Sequence, residues 1–582
     1  MSQSSSAAML DAFSSSVKSV DDPILNKLPN VKGGLKDLYI KFKNNPDAVA
    51  RFLPAEIKQY LTIQARMSLK PVAPRVPRHM PEDVIRVGDV KEIQEQIKIA
   101  RHDKKKLRVL GSVHSRESSV YEAECIKIVL AGRLKEIISV KNGVDEKGKY
   151  AIVKVGGGCY LGVNPADPQS NSNNSLITQL AEDGYALPVI GGIAHQTIAG
   201  YMQTGSAGGS TAYGIADCIE SFRFVNGLGD ERKAHRNSDL FKAAGVSMGL
   251  MGVITEVTLK VYGCYAVEGQ EDIREEQHSW LCKIEDKYPL EEVISQTEYA
   301  HINWFPHPGV NKVIQWYGRR VPHRPQCETP IEYENILESK EAEEQIKEAF
   351  GFVDLVRWYC NEYPDDKENI AKLLQFVAIL LNSFLSSKPK PFKERWDEAL
   401  PTEDKTAVDT TLKVHFTEVW APVKYTEKVI DTLKEFYKKY PVATLGTFTV
   451  EIYGAKKSPF WLSPACEGDV VRVDPLWWYW NEGEAELLFR EYWNRLLPIE
   501  GATVHWGKHI PKYGDQFGDI TFNRKFLKNR YPHFKAWLEI REEMDPENIF
   551  VTQYWHNRFF TKLKSPAREE KLESPLPLKA TA

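Results

Sequence analysis

The first half of the chain alternates short apolar segments with segments of helical periodicity and with glycine-rich turns. Apolar residues recur at the spacing of helix turns in some segments and form short β-rich runs in others. Strands are predicted in LRVLG (107–111), YAIVKVGGG (150–158) and GVITEVTLKVYG (252–263), and helices in VKEIQEQIKIARHDKK (90–105) and SLITQLAEDG (175–184). This alternation predicts an α+β or α/β domain, which we place at residues 76–265.

A second region, residues 266–540, has longer elements and more aromatic residues. Its strands are predicted in HINWF (301–305), KVIQWYG (312–318), TLKVHFTEVWAP (411–422) and LGTFTVEIYG (445–454), and its helices at 340–350, 365–385, 425–439 and 484–496. Runs of strands beside runs of helices predict a second α+β domain.

The two ends of the chain differ from these domains. Residues 1–75 predict a helical extension, and four prolines in residues 71–81 exclude a helix interior there and mark the entry into the first domain. The charged, proline-rich residues 566–582 predict a flexible tail.

Composition narrows the class of protein. The 76 Lys and Arg against 79 Asp and Glu give a net charge of −3, which argues against nucleic-acid binding through a basic surface. The eight cysteines contain no C-x-x-C pair, which argues against a zinc ribbon or other metal site and favours reduced thiols in the cytoplasm or another intracellular compartment. The longest apolar run, residues 373–385, is too short to cross a bilayer, so no transmembrane segment is predicted.

Two glycine-rich segments carry candidate chemistry. LGSVHS (110–115) ends a predicted strand in a turn whose backbone amides can cradle a diphosphate. PVIGGIAHQTIAGYMQTGSAGGS (188–210) holds six glycines, which permit close backbone approach to a flat ligand. A large anionic ligand with a planar ring would explain both segments. Neither G-x-G-x-x-G after a strand nor G-x-x-x-x-G-K-[ST] occurs, which disfavours NAD-Rossmann and P-loop folds.

These two segments, followed by HRNSDLFKAAGVSMGLMGVITEVTLKV (235–261), resemble the FAD-binding domain of the vanillyl-alcohol-oxidase, or PCMH-type, flavoprotein family. The resemblance implies FAD, with its diphosphate on the 111–115 turn and the 191–208 segment and its adenine near residues 253–254. The cofactor-binding residues so implied are Gly111, Ser112, Val113, His114, Ser115, Gly191, Gly192, Gln196, Thr197, Gly200, Thr204, Gly205, Ser206, Gly208, Val253 and Ile254.

His114 is implied to carry the flavin covalently through the 8α-methyl group, because members of the family often have the tether at this histidine. A neutral imidazole nitrogen is a competent nucleophile for such a bond. A second link through cysteine is not expected, because residues 185–192 contain none.

The second half resembles the sugar-lactone oxidase branch of that family, which comprises gulonolactone, galactonolactone and arabinonolactone oxidases and alditol oxidase. The segments that carry the resemblance are INWFPHPG (302–309), FTVEIYGAKKSPFWLSP (448–464), ATVHWGKH (502–509) and MDPENIFV (544–551). It implies a two-domain PCMH-type fold, an α+β substrate or cap domain built on an antiparallel sheet, and a return segment (541–565) to the FAD domain.

Alcohol oxidation by a flavin needs hydride transfer to flavin N5, removal of the hydroxyl proton and positive charge near the flavin N1–C2 carbonyl. Lys508 is the candidate for the charge, and His505 is the candidate that takes the proton or orients the hydroxyl. Glu451 and Tyr453 project to one face of their strand and are candidates to bind substrate hydroxyls.

One position departs from the branch. Where the relatives have Glu-x-Arg, this chain has Glu451-Ile452-Tyr453, and a tyrosine cannot replace an arginine fork. The run LWWYW (476–480) is either a pocket wall or core packing.

Three interpretations of the function remain: oxidation of a sugar, polyol or aldonolactone alcohol, oxidation of a larger apolar alcohol such as a sterol or natural product, and a flavoprotein that has lost simple alcohol oxidation (a cyclase-like enzyme or scaffold). The expected partners are a small alcohol and either oxygen or another electron acceptor.

Overall fold

The structure is a computed structural model, and it describes residues 80–306, 311–324, 330–332, 389–400, 414–440, 447–478 and 485–560. The predicted extension (1–75), the tail (566–582) and the helices at 340–350 and 365–385 lie outside these residues. Across the described ranges, every helix is too short or too polar to traverse a lipid bilayer.

The first sheet is parallel and has the strand order β1-β3-β2. Its strands are β1 (Val84–Val87), β2 (Leu107–Leu110) and β3 (Ile126–Leu130), and helix α1 (Val90–Asp103) connects the first two. The Asp89 side chain caps the first turn of α1, and Lys104 ends the helix in the left-handed conformation with φ 54°. Ile93, Ile97 and Ala100 recur on one helix face and are buried against the sheet.

The second sheet is antiparallel, with the order β4-β5-β9-β7-β8 and with β6 paired to β9. Its strands are β4 (Ile137–Asp145), β5 (Gly148–Gly156), β6 (Tyr185–Ala186), β7 (Ile219–Val225), β8 (Glu231–His235) and β9 (Val253–Gly263). The accompanying helices are α2 (Glu117–Val120), α3 (Leu176–Glu182), α4 (Ile198–Thr204) and α5 (Asp239–Gly245). The elements predicted from 90 to 263 are therefore confirmed, with ends shifted by a few residues.

The third sheet is antiparallel and has the order β13-β10-β12-β11-β16-β17-β15-β18, with β14 paired to β17. Its strands are β10 (Tyr265–Glu275), β11 (Tyr299–Phe305), β12 (Lys312–Pro322), β13 (Lys390–Arg395), β14 (Val414–Phe416), β15 (Val419–Pro422), β16 (Thr447–Ala455), β17 (Val470–Trp478) and β18 (Thr503–Val504). A small hairpin follows, formed by β19 (Gln516–Phe517) and β20 (Ile520–Thr521). The strand predicted at 411–422 is two strands, because the chain leaves the ladder at Thr417 and Glu418.

The remaining helices are α6 (Pro289–Gln296), α7 (Trp396–Ala399), α8 (Thr426–Lys439), α9 (Ala485–Leu496), α10 (Arg524–Arg530), α11 (Phe534–Met544) and α12 (Gln553–Phe559). Helix α8 buries an apolar stripe that includes Val429 and Leu433, in the same core as Ile452 and Val473 of the third sheet. Because side chains alternate along a strand, the neighbours of these residues in sequence project from the opposite face. That opposite face carries the polar residues of the candidate site.

The chain returns to the first sheet near its C-terminal end. The amide of Leu107 donates to the carbonyl of Ile549 at 2.8 Å, and Nη1 of Arg108 donates to the carbonyl of Phe550 at 3.0 Å. Both carboxylate oxygens of Asp545 accept amides of this return turn. Ile549 and Phe550 are buried with α1 and the first sheet, so one hydrophobic core joins distant parts of the chain.

The tight packing of the second glycine-rich segment can be tested by substitution at Gly208. A Cβ at this position would lie 1.7 Å from the carbonyl oxygen of Ile190, a backbone atom that cannot move aside. We expect Gly208→Ala to lower the free energy of unfolding by about 1–3 kcal/mol, as overpacking does, and to weaken FAD retention. Chemical denaturation and the flavin-to-protein absorbance ratio measure both effects.

Gly468→Ala is the matched control, because a Cβ there meets no atom within 4 Å. Equal stability and equal flavin content in the two variants would contradict the expected packing constraint.

Candidate active site

The two glycine-rich segments meet. The Ser112 hydroxyl donates to the carbonyl of His195 at 2.6 Å, and the rings of His114 and His195 have centroids 4.5 Å apart. A Cβ at Gly111 would lie 2.8 Å from the Thr197 hydroxyl, so the first segment packs directly on the start of α4. The residues predicted to hold the diphosphate therefore form one surface.

The first segment has a strained backbone. Val113 adopts φ 57°, a region that β-branched residues rarely occupy and that costs about 1–3 kcal/mol. In the described part of the chain, the amides of Ser112, Val113 and Ser115 donate to no protein group. Successive amides without protein acceptors form a concavity that suits an anion.

The second segment turns around α4. Thr197 caps the helix by accepting the Gly200 amide at 3.1 Å, and Gly205 ends it with φ 75°. The hydroxyls of Thr204 and Ser206 lie 3.1 Å apart just beyond the helix.

The other predicted cofactor residues divide into two groups. Gly191 and Gly192 precede the turn at which the side-chain amide (Nε2) of Gln196 donates to the carbonyl of Ile193 at 3.2 Å. Val253 and Ile254 instead begin β9 and are 0% and 5% exposed in the core. Any ligand contact at that pair falls to backbone atoms rather than to the side chains.

Two cross-strand rows of side chains occupy the polar face of the third sheet. In the first row, Tyr453 of β16 pairs with His301 of β11 on one side and with Arg472 of β17 on the other. Trp420 of β15 continues the row beside Arg472. Directly opposed residues of a ladder share a face, so these four side chains line one surface.

The second row is acidic. Glu451 pairs with Asn303 on β11 and with Asp474 on β17. Glu418 lies two residues before Trp420, at the end of the same row. The predicted candidates Glu451 and Tyr453 therefore share a face, as expected, and Arg472, Asp474 and Glu418 join them.

The polar face turns towards the glycine-rich segments. A Cβ at Gly209 would lie 3.7 Å from the Tyr453 ring. The amide of Arg116 donates to the carbonyl of Gly507 at 2.7 Å, which joins the first segment to the loop that carries His505 and Lys508. The site is thus the space that the two glycine-rich segments, the 505–509 loop and the polar face enclose.

The charges in this space are arranged in pairs. Arg472 Nη1 lies 2.9 Å from Glu418 Oε1, with both side chains buried. Burial raises the pKa of Glu418, but the positive charges around it, led by Arg472, outweigh burial and leave the pKa below its ordinary value. Glu418 is therefore the ionised partner of Arg472.

The Glu451 and Asp474 carboxyls share a hydrogen bond. Burial raises the pKa of Asp474 well above its ordinary range, and the charges of Glu418 and Glu451 raise it further. Burial also raises the pKa of Glu451, while Asp474 opposes the rise by donating to it. Both shifts favour the protonated form, and the shift is larger at Asp474.

Lys508 is the second cation of the site. Its Nζ lies 3.6 Å from the centroid of the Phe416 ring. Burial lowers the pKa of this ammonium, and the negative charge of Glu418 opposes that effect. Lys508 and Arg472 are thus the two basic groups of a site whose acidic groups are Glu418, Glu451 and Asp474.

His505 is neutral and has a defined tautomer. Its Nδ1 accepts the amide of Gly507 at 3.3 Å, so Nε2 carries the proton, and Nε2 is buried with no protein partner among the described residues. Burial lowers the pKa of His505 to about 4. Of the two roles predicted for this residue, orienting a hydroxyl fits a donating Nε2, whereas taking a proton does not.

The residues present fit a large polar ligand beside a diphosphate. Buried polar atoms without protein partners in the described chain gather on the polar face: Asn303 Oδ1, Arg472 Nε, Asp474 Oδ1 and His505 Nε2. Together with the unpaired amides of the first glycine-rich segment, they provide donors and acceptors for FAD and a hydroxylated substrate.

Comparisons with known proteins agree with this geometry. The family model described as D-arabinono-1,4-lactone oxidase matches residues 257–559, more than half of the chain. The chain belongs to the D-arabinono-1,4-lactone oxidase family. A second model, described as an FAD binding domain, matches residues 81–234. The family resemblance and the FAD cofactor predicted from sequence are thereby confirmed.

Curated relatives extend over most of the chain. L-gulonolactone oxidase of Scyliorhinus torazame is 22% identical over 493 residues, covering 82% of this chain and 96% of the relative, and that of Mus musculus is 21% identical with the same coverage. D-arabinono-1,4-lactone oxidase of Saccharomyces cerevisiae is 26% identical over 245 residues, covering 41% of this chain and 42% of the relative.

Solved structures show the fold. Cholesterol oxidase from B. sterolicum has a TM-score of 0.56 at 13% identity, covering 82% of this chain and 94% of that one. A solvent-stable cholesterol oxidase has a TM-score of 0.55 at 15% identity, covering 80% and 93%. The predicted two-domain FAD-binding fold of mixed α and β structure is confirmed, and the protein is an FAD-dependent oxidoreductase of this family.

Sequence reasoning missed Arg472, Asp474 and Glu418. The signal was present in V-V-R-V-D (470–474), where two charged residues alternate with valines on a strand. Their partners follow only from the register of β16 and β17.

In LWWYW, Trp477 is 3% exposed and belongs to the core, while residues 479–480 lie outside the described residues.

The neutral state of His505 makes stability depend on pH. Its folded pKa of about 4 lies below the ordinary value of 6.5, so its contribution is complete above pH 6.5 and is lost as the pH falls towards 4. We expect wild type to lose on the order of 3 kcal/mol more unfolding free energy than His505→Asn between pH 7 and pH 4. Urea denaturation of both holoproteins at several pH values measures the difference. Parallel pH profiles would show that His505 is not held neutral by burial.

Proposed function

We propose that this protein oxidises a CH–OH group of a neutral sugar-derived lactone or polyol. The observation that carries the proposal is the polar face, on which the buried ion pair of Arg472 with Glu418 adjoins buried donors and acceptors that have no partner among the described residues. Such a surface suits a ligand with many hydroxyls and no net charge. FAD, when bound, supplies the hydride acceptor.

The side chains divide the remaining work. His505 Nε2 donates to the substrate oxygen and fixes the hydroxyl. Glu451 is the carboxylate that accepts the hydroxyl proton, because its raised pKa makes it a stronger base than an exposed carboxylate. Lys508 adds positive charge where reduction of the cofactor builds negative charge. Tyr453 forms part of the substrate-facing wall beside Glu451.

The two alternatives are less well supported. A sterol or other apolar alcohol would leave Arg472 Nε and Asp474 Oδ1, which have no partner among the described residues, still unsatisfied, at a cost of about 1–3 kcal/mol for each. The likeness to cholesterol oxidases is a likeness of fold. A scaffold without oxidation chemistry has no need for a neutral histidine and a basic carboxylate in one buried space.

Three further features belong to this proposal. Oxygen is the electron acceptor that the oxidase names of the relatives suggest.

The domain boundaries at 76–265 and 266–540, with a return segment at 541–565, remain predictions. The cofactor residues, including the backbone of Val253 and Ile254, are assigned on the contacts described above.

We also propose that His114 tethers the FAD. His114 lies at the junction of the two glycine-rich segments, beside His195 and directly after the strained Val113. The new C–N bond would replace a C–H bond of the 8α-methyl group and an N–H bond of the imidazole. The two electrons released would leave with oxygen. A histidine fixed at this junction would hold the flavin ring system of FAD at its 8α-methyl end.

The proposed activity is tested by anaerobic reduction of the flavin. We expect L-gulono-1,4-lactone, D-arabinono-1,4-lactone or an alditol to bleach the visible absorbance of the holoprotein, and cholesterol to leave it unchanged. Readmitted oxygen should restore the colour with release of peroxide. Bleaching by sterols alone would overturn the proposal, as would a flavin that no alcohol in the panel reduces.

The tether is tested by acid precipitation of the purified holoprotein. We expect yellow flavin to stay in the wild-type pellet and to move to the supernatant in His114→Ala, because only a covalent bond survives denaturation. His195→Ala is the matched control, since it removes the neighbouring ring and should leave the flavin in the pellet. Release of flavin from wild type would exclude the tether while leaving FAD binding intact.

A further inference from the structure

Tyr453 stands where the family pattern has an arginine, and the structure places another arginine beside it. In the ladder between β16 and β17, Arg472 is the residue directly opposite Tyr453. Its guanidinium carbon lies 3.3 Å from the centroid of the Tyr453 ring, so the planar cation covers the aromatic face. The side chain is 5% exposed.

The guanidinium is only partly used by the protein. Nη1 is paired with Glu418, whereas Nε is buried and donates to no described group. Nε atoms without a described partner also occur at the buried Arg541 and Arg558. Arg472 differs from these two in its position on the face of the third sheet that carries the other polar residues of the candidate site. The open Nε edge is on the same face as Glu451 and Asp474, whose Oδ1 also has no described partner.

The surroundings fix the position of this edge. Trp420 flanks Arg472 from β15 at 5.7 Å, and Tyr453 supports it from β16, so the guanidinium has little freedom to rotate. Glu418 compensates its charge. Because a rigid fork loses little conformational entropy on binding, it is suited to hold two neighbouring oxygens of a ligand.

We propose that Arg472 is the substrate-binding arginine of this pocket, supplied by β17 in place of the arginine missing from β16, with Tyr453 as its aromatic support. Its Nε edge would donate to ring or hydroxyl oxygens of the lactone or polyol. The departure at Tyr453 is therefore a relocation of the cation to the next strand, and it leaves the substrate class intact. This inference rests on the proposed function and deepens it.

The test is the anaerobic reductive half-reaction, which separates the substrate Kd from the limiting rate of flavin reduction. With the lactone or alditol that reduces wild type, we expect Arg472→Gln to raise Kd about 10- to 100-fold, as the loss of a charged hydrogen bond does, and to change Kd by a larger factor than the limiting rate. Arg472→Lys should not restore Kd, because an ammonium cannot present the planar edge.

A transplanted arginine tests the relocation itself. The double variant Tyr453→Arg/Arg472→Tyr returns the cation to β16, and we expect it to recover most of the lost affinity. If Arg472→Gln alone fails to fold because Glu418 is left uncompensated, Arg472→Gln combined with Glu418→Gln removes both charges and serves in its place. Arg274→Gln is the control for an exposed arginine of the same sheet, whose pair with Asp272 lies away from the site.

The outcomes separate this inference from the proposed function. The relocation would be overturned if folded Arg472→Gln bound the substrate with the wild-type Kd. It would also be overturned if Tyr453→Arg/Arg472→Tyr bound the substrate as weakly as Arg472→Gln. Neither result would affect the proposed oxidase activity. If no sugar-derived alcohol reduces wild type, the proposed function fails. Lactone binding is then measured from the absorbance shift of the oxidised flavin. Weaker binding by Arg472→Gln would support the arginine assignment, and equal or absent binding would overturn it as well.

Discussion

A buried group of charges is stable only when its charges cancel and its polar atoms find partners. In this protein the ion pair of Arg472 on β17 with Glu418, which lies between β14 and β15, meets the first of these conditions. Burial and the charges of Glu418 and Glu451 raise the pKa of Asp474 well above its ordinary range, which favours its neutral form and limits the negative charge on this face.

The same constraint couples the two halves of the molecule. The polar face belongs to the third sheet, but its open side is covered by the glycine-rich segments, through Gly209 at Tyr453 and through Gly507 at the turn after the first segment. A Cβ at Gly507 would lie 2.8 Å from the Ser115 hydroxyl, so the 505–509 loop and the first segment approach closely there. Cofactor and substrate surfaces are thus formed from separate stretches of sequence that approach one another at glycines.

Local patterns were sufficient for much of the fold. The periodicity of residues 90–105 and the β-rich run at 252–263 identify α1 and β9, and the two glycine-rich segments do meet, as a shared ligand surface requires. The partners of Glu451 were not predictable in this way, because cross-strand register depends on packing across the sheet. The pKa of Asp474 has the same origin, since burial and two neighbouring carboxylates arise only when three strands align. At Val253 a local pattern was misleading for the side chain. The motif implied a ligand contact, but the side chain is buried in the core.

The return of the chain to the first sheet has a consequence for biosynthesis. Arg108 and Phe550 are separated by 442 positions in sequence, and the core of the first sheet includes Ile549 and Phe550. At about 5–20 residues per second, a ribosome makes the first sheet tens of seconds before it makes the turn that completes this core. During that interval, the apolar surface that Ile549 and Phe550 later cover is exposed on the nascent chain. Completion of this core is therefore an event of the finished polypeptide.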